Sequence, residues 1–187
     1  MEWHMAKLLE QISGEEALKI LRLLSAQDQD IENRIEELAR NILKDIDLDE
    51  IWEEVFFNLD NIDVHDLWDQ SGARSDGEYI STEEMAYEML ENEIKPHINN
   101  FIRLHKVGLE NESISYCMGL LKGIYLYSNE SSSEFKDWAA DIPEEFFRQI
   151  LEEWEKSKLN KNATLKIESF LNNECNKWAV WALKKPA

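Results

Sequence analysis

Apolar residues recur at intervals of three and four along most of the chain, which is the spacing of amphipathic α-helices. The clearest stripe has successive spacings of four, three, four and four residues: Ile31, Ile35, Leu38, Ile42 and Ile46. Few segments alternate apolar and polar residues, and only 6 Gly and 3 Pro are present for tight turns. The pattern predicts an all-α protein of about nine helices, arranged as an irregular, HEAT-like α-solenoid or as an orthogonal helical bundle.

Polar residues that cap helices stand before several of these stripes. Ser13 with Glu16, and Ser81 with Glu84, have the spacing of a capping box, in which each side chain accepts a hydrogen bond from a free backbone N–H. Two further N-cap positions are expected, at Asp28 or Asp30 and at Asp47. Helices are also expected over residues 3–12 at the start and 163–183 at the end.

Proline and glycine positions refine this picture. Pro96 has no backbone N–H, so it predicts a kink or a split in the helix that begins after Ser81. Gly119 and Gly123 are four residues apart on the helix expected over residues 114–127. In a chain without membrane spans, this spacing favours the close approach of a second helix.

The charge is concentrated in one stretch. The chain has a formal net charge of −19, and residues 45–93 contain 17 acids and a single base, Arg74. Residues 1–95 hold 26 acids and 8 bases (−18), whereas residues 96–187 hold 13 acids and 12 bases (−1). A chain of 187 residues is typical of one domain, so we expect a single all-helical domain with an acidic half and a near-neutral half.

The acidic balance limits the classes of partner. Nucleic acids and anionic membrane surfaces bind through Lys and Arg, so neither is expected here. A basic protein partner suits this charge better. The N-terminus lacks a basic region followed by an apolar run, and no segment is apolar enough to span a bilayer, so a cytoplasmic protein is expected. Cys117 and Cys175 lie in apolar patterns and are expected to be buried, reduced thiols.

A calcium loop is the nearest approach to a metal motif, but it is incomplete. Asp76 and Glu83 match two ligand positions of an EF-hand loop, with the intervening glycine at the sharp turn. Gly72 and Arg74 would fill two other positions, and neither side chain can ligate calcium. A distorted site that uses Asp69 with Asp76 and Glu83 remains as a weak alternative.

No catalytic constellation is present in the sequence. Nucleophile-elbow, P-loop and dinucleotide-binding glycine patterns do not occur, and no cofactor is expected. His97 and His105 are eight residues apart, too far on a regular helix to share one ion. The histidines are therefore expected to be solvated or to cap helices, and the protein is not expected to be an enzyme.

The best candidate site is the acidic, aromatic surface around the glycine-bounded loop 72–77, because loops commonly carry function. The candidate partner-binding residues are Asp60, Asp63, Asp66, Trp68, Asp69 and Tyr79. The first hypothesis is a non-enzymatic interaction module for a basic partner. The alternative is a protein that binds a small molecule or a divalent cation, in a pocket between residues 60–77 and the helix with the two glycines.

Four segments of the chain resemble an uncharacterised group of prokaryotic all-helical proteins. They are Val55-Phe-Phe-Asn-Leu-Asp60, Asp63-Val-His-Asp-Leu-Trp-Asp-Gln-Ser-Gly72, Gly77-Glu-Tyr-Ile80 and Tyr116-Cys-Met-Gly-Leu-Leu-Lys-Gly-Ile-Tyr125. The resemblance spans residues 15–150. It implies a self-contained helical fold with an acidic helix–loop–helix centre, and it implies no activity, cofactor or site.

Overall fold

The computed structural model describes residues 10–73, 77, 79–156 and 161–184. These residues confirm the all-α class, since they contain nine α-helices, one 3-10 helix and one short strand pair. In chain order the elements are α1 (Gly14–Ser25), α2 (Gln29–Lys44), α3 (Leu48–Asp60), α4 (Val64–Gln70), β1 (Gly72–Ala73), β2 (Tyr79–Ile80), α5 (Thr82–Lys106), α6 (Glu110–Glu130), the 3-10 helix (Glu134–Trp138), α7 (Ile142–Lys156), α8 (Lys161–Glu174) and α9 (Asn176–Ala182).

The structure divides into two compact units, Met1–Asp45 and Ile46–Ala187. The sequence predicts one domain with a charge boundary near residue 95, but that residue lies inside α5. In the first unit, α1 and α2 form a helical hairpin, and neither helix has a buried residue.

The predicted helix starts are confirmed by hydrogen bonds. The Ser13 hydroxyl accepts from the Glu16 N–H at 3.3 Å, and the Glu16 carboxylate accepts from the Ser13 N–H at 2.8 Å. Asp28 accepts from the N–H two residues later at 2.8 Å, and Asp47 does the same. Ser81 accepts from the N–H of Glu84 at 3.1 Å.

The second unit is a bundle around α6. This helix packs against α3, α5, α7 and α8, which come from both sides of it in the sequence. Its buried residues are Ser113, Ile114, Tyr116, Cys117, Gly119, Leu120, Leu121, Gly123, Ile124, Tyr125 and Tyr127. In a solenoid each repeat contacts only its neighbours, so the bundle is the better description of this unit.

The two glycines of α6 confirm the predicted close approach. A Cβ on Gly123 would lie 2.7 Å from the Val55 Cβ and 2.9 Å from the Trp52 carbonyl oxygen. A Cβ on Gly119 would lie 2.9 Å from the Ile51 Cβ. Real Cβ atoms do not approach so closely, so only glycine lets α3 lie this near to α6.

Other details of the fold differ from expectation. Pro96 does not split its helix, because α5 continues from Thr82 to Lys106. The predicted last helix is two helices, α8 and α9, separated at Cys175. Ala73 pairs with Tyr79 in the short antiparallel ladder, although the sequence predicts no sheet. The helix predicted over residues 3–12 falls mainly outside the described residues.

Candidate functional site

A polar cleft lies where the end of α3, α4 and the middle of α5 meet, and its volume is about 410 Å³. Seven of its nine lining residues are polar, namely Asn58, Asn61, Asp63, Asp66, Gln70, Asn92 and Glu93, and the other two are Ile62 and Met89. The sequence predicts a pocket against the helix with the two glycines. The second wall is α5 instead, because α3 covers the glycine face of α6.

The short helix α4 positions one side of the cleft. Asp63 caps it, since its Oδ1 accepts from the His65 N–H at 2.8 Å. Val64 and Leu67 are buried and hold α4 against the body. Helical geometry then turns Asp66 to the opposite, exposed side, where it lines the cleft with Asp63.

Pro96 lies in α5 one turn after Asn92, which lines the other side of the cleft. A helix interior residue donates to the carbonyl four residues earlier, which for Pro96 is the carbonyl of Asn92. Because proline has no N–H, this carbonyl has no i+4 backbone partner.

The charged groups of the cleft are all carboxylates: Asp63, Asp66 and Glu93. Within the described ranges none of them forms an ion pair with Lys, Arg or His. Of all described acids in residues 45–93, only Glu91 is so paired, with Lys95 at 3.5 Å. No described base of residues 96–187 therefore forms an ion pair with a carboxylate of the cleft.

The candidate partner residues predicted from sequence do not all come together. Asp63 and Asp66 line the cleft, whereas Asp69 is exposed on α4 outside it. Asp60 is half-buried, and its Oδ1 accepts from the Ser131 Oγ at 2.5 Å, so it fastens α3 to the segment after α6. Its role in the structure is to join these elements, because its carboxylate is already bonded within the chain.

The two aromatic candidates are exposed. Trp68 lies on α4 with its ring edge-on to His65, with ring centroids 5.3 Å apart. Tyr79 lies in β2. Phe57 on α3 is a third exposed aromatic ring in the acidic stretch, and it is not among the candidates predicted from the sequence.

Sequence reasoning also missed the side-chain amides and Glu93 that complete the cleft. The amides are Asn58, Asn61, Gln70 and Asn92. The available signal is weak: Asp63, Asp66 and Gln70 are three and four residues apart, which places them on one helix face. No periodicity shows that this face meets α5.

The weak calcium site has no structural support in the described ranges. One of its three residues, Asp76, is outside them. Among the residues that the structure describes, no three His, Cys, Asp or Glu side chains are grouped as metal ligands. Glu83 lies in the first turn of α5, where a negative charge favours the positive end of the helix.

A buried polar cluster lies one helical turn beyond the cleft. His97, four residues after Glu93, is buried, and its Nδ1 is 2.8 Å from the Tyr116 Oη. Asn100 donates to the same oxygen at 3.3 Å. Burial lowers the pKa of His97, while Glu54 and Glu93 oppose that shift. The expectation of a solvated or capping histidine is wrong here, because α6 covers this face of α5.

Both cysteines are free and buried, as predicted. Burial raises the pKa of the Cys117 thiol strongly, and it raises that of Cys175 to about 12. A thiol that resists ionisation is a poor nucleophile. These residues therefore belong to the core.

Comparisons with known protein families, with curated proteins and with solved structures find no match to this chain. The resemblance to a prokaryotic helical group stays a prediction. Among the described helices, none is both long enough and apolar enough to cross a membrane.

Proposed function

We propose that this protein is a non-enzymatic interaction module that binds a basic segment of a partner protein at the polar cleft. One observation carries the proposal: three carboxylates without ion pairs converge with four side-chain amides in a single cleft of about 410 Å³. Nucleic acids and anionic membranes are not the proposed partners, because none of the described residues that line the cleft is basic. We place the protein in the cytoplasm, in keeping with its free cysteines.

The chemistry of the cleft suits a Lys or Arg side chain. Carboxylates accept hydrogen bonds and cannot donate them, and an ammonium or guanidinium group only donates. The side-chain amide oxygens of the cleft add further acceptors. Ion-assisted hydrogen bonds of this kind are stronger than neutral ones. Ile62 and Met89 can contact the aliphatic stem of the same side chain.

Two exposed rings of the same acidic stretch add to the proposed binding surface. Trp68 and Tyr79 present aromatic faces to solvent in a strongly acidic stretch. Cations favour aromatic faces, by about 0.5–1 kcal/mol at exposed sites. A basic segment longer than one residue could therefore place one side chain in the cleft and another on a ring.

Fluorescence anisotropy with a labelled peptide rich in Lys and Arg tests the proposal. The triple variant Asp63→Asn, Asp66→Asn, Glu93→Gln should bind at least tenfold more weakly, a change of about 1.4 kcal/mol. Asparagine is as good an N-cap as aspartate, so the substitution at Asp63 keeps α4 capped. A peptide with acetyl-lysine and citrulline at the same positions should not bind.

A matched control changes the net charge equally elsewhere in the same unit. Asp137→Asn, Asp141→Asn, Glu152→Gln alters exposed acids of the near-neutral half. This variant should bind the basic peptide nearly as well as the wild type. Equal weakening by both triple variants would mean that only the net charge attracts the peptide, and the cleft would lose its proposed role.

The second candidate function is binding of a small organic cation in the same cleft. Its volume falls within the range of about 300–1,000 Å³ that is common for small-molecule sites. Isothermal calorimetry with a diamine or polyamine distinguishes this case, since saturable binding of the free amine with no binding of the peptide would favour it. Calorimetry with calcium, magnesium and manganese tests whether the site binds a divalent cation. The absence of any heat of binding would rule out that function.

A further inference from the structure

The N-terminal hairpin exposes an unusual amount of apolar surface. Leu38 and Ile42, on the clearest amphipathic stripe of the chain, are 61% and 75% exposed. On α1 five more large apolar side chains are exposed: Leu18, Ile20, Leu21, Leu23 and Leu24. An exposed apolar patch of this kind marks an interaction site in a protein that is otherwise well solvated.

The stripe of α2 is divided into two halves with different exposure. Ile31 and Ile35, near its start, are half-buried, whereas Leu38 and Ile42, near its end, are exposed. The spacing of the four residues is symmetrical about a point between Ile35 and Leu38. A second α2 in antiparallel orientation would therefore place Ile31 against Ile42 and Ile35 against Leu38 of the other copy.

The charges of α2 favour the same orientation. Its first half, residues 29–36, has three acids and one base, whereas its second half, residues 37–44, has one acid and two bases. None of these charged side chains forms an ion pair within the described part of the chain. Antiparallel pairing brings the acidic half of one copy to the basic half of the other, and parallel pairing would bring like halves together.

The hairpin is also the part of the acidic half through which two copies can meet. Residues 14–44 contain seven acids and five bases, whereas residues 46–93 contain 16 acids and one base. Two surfaces like the latter would repel one another. We infer that the hairpin is a self-association surface, and that α2 pairs antiparallel with α2 of a second copy about a twofold axis.

The resulting interface is isologous, because each copy contributes the same residues. Two hairpins joined in this way make four helices, which is a common way for helical hairpins to bury their apolar faces. Helix α1, which packs against α2 in each hairpin, has further exposed leucines that add to the apolar surface of the hairpin.

Sedimentation equilibrium of the full chain over a wide range of concentration tests association. The wild type should reach twice the mass of one chain, and Leu38→Gln with Ile42→Gln should stay at the mass of one chain. The control Leu165→Gln changes an exposed leucine of the second unit and should still dimerise. A wild type that stays monomeric at every concentration overturns the inference.

Oxidative cross-linking tests the orientation and does not depend on the previous variants. Ile31→Cys and Ile42→Cys are made separately, and the two native cysteines give little background because they are buried. A mixture of the two variants should form disulfide-linked dimers. Each variant alone should form far fewer, because identical positions lie about 16 Å apart along antiparallel helices. Dimers in each variant alone would indicate parallel pairing, and no dimers in the mixture would also refute the antiparallel seam.

Discussion

The hairpin α1–α2 and the central helix α6 have similar fractions of apolar residues, but they differ in how many of those residues are buried. Helix α6 has eleven buried residues, since four other helices cover it. Helices α1 and α2 have no buried residue, although α2 has the cleanest amphipathic stripe in the sequence. An apolar stripe thus predicts a helix and identifies its apolar face. How much stability that face contributes depends on whether another element covers it.

The largest expected effect separates these two regions directly. Leu120→Ala removes a fully buried side chain of α6 and should cost about 2–5 kcal/mol at every protein concentration. Leu23→Ala alters a side chain of α1 that is 56% exposed and should cost under about 0.5 kcal/mol in dilute protein. Urea unfolding measured at low and high protein concentration gives both values.

The effect of Leu23→Ala should grow with concentration if a second copy covers the hairpin, since association stabilises the folded state by mass action. A large cost of Leu23→Ala in dilute protein would mean that the hairpin is already covered within one chain. That result would remove the contrast between the regions.

A smaller effect is expected from adding one methyl group to a helix in each region. Gly123→Ala places a Cβ against Val55 and the Trp52 carbonyl, so it should destabilise the protein by about 1–3 kcal/mol. Gly14→Ala, at the start of α1, meets no atom within 4 Å and should be neutral or stabilising by up to about 1 kcal/mol. The midpoint of thermal unfolding should fall in Gly123→Ala and should stay unchanged or rise in Gly14→Ala.

The smallest expected effect is on the dependence of stability on pH below neutrality. Burial holds the pKa of His97 below its usual 6.5, so as pH falls below about 6.5 the unfolded state binds a proton that the folded state does not. Stability from this source is full above pH 6.5 and is lost as pH falls towards the folded pKa. His97→Gln should flatten this part of the profile of unfolding free energy against pH.

The exposed His65 provides the matched substitution for this measurement, since His65→Gln removes a surface histidine of the same unit. Helices α1 and α2 contain no histidine, so the loss of stability belongs to the second unit. An unaltered profile in His97→Gln would show that the cluster with Tyr116 does not exclude the proton.

Local features were predictable because their partners are near in sequence. The caps at Ser13, Asp28, Asp47 and Ser81 bond to N–H groups two or three residues away. The glycine pair of α6 also gave a correct prediction, since the absence of two Cβ atoms on one face permits only a close neighbour. Which helix would be that neighbour required the structure, because α3 is distant in the chain.

The remaining features depend on tertiary contacts that periodicity does not encode. The stripe through Ile167, Leu171, Cys175 and Trp178 predicts one helix, yet the chain breaks at Cys175 and helical bonding resumes at once, with Trp178 donating to the Cys175 carbonyl at 2.9 Å. The cleft likewise arises from residues of three elements. Its carboxylates on α4 were predicted, whereas its α5 side was not.

The bond between Asp60 and Ser131 has a consequence for synthesis of the protein. These residues are 71 positions apart, so at about 5–20 residues per second the ribosome needs roughly 4–14 s to deliver the second after the first. During that interval α3 lacks the completed helix α6 that covers it in the folded protein. The acidic residues around it keep this nascent segment hydrated, and folding of the second unit begins late in translation.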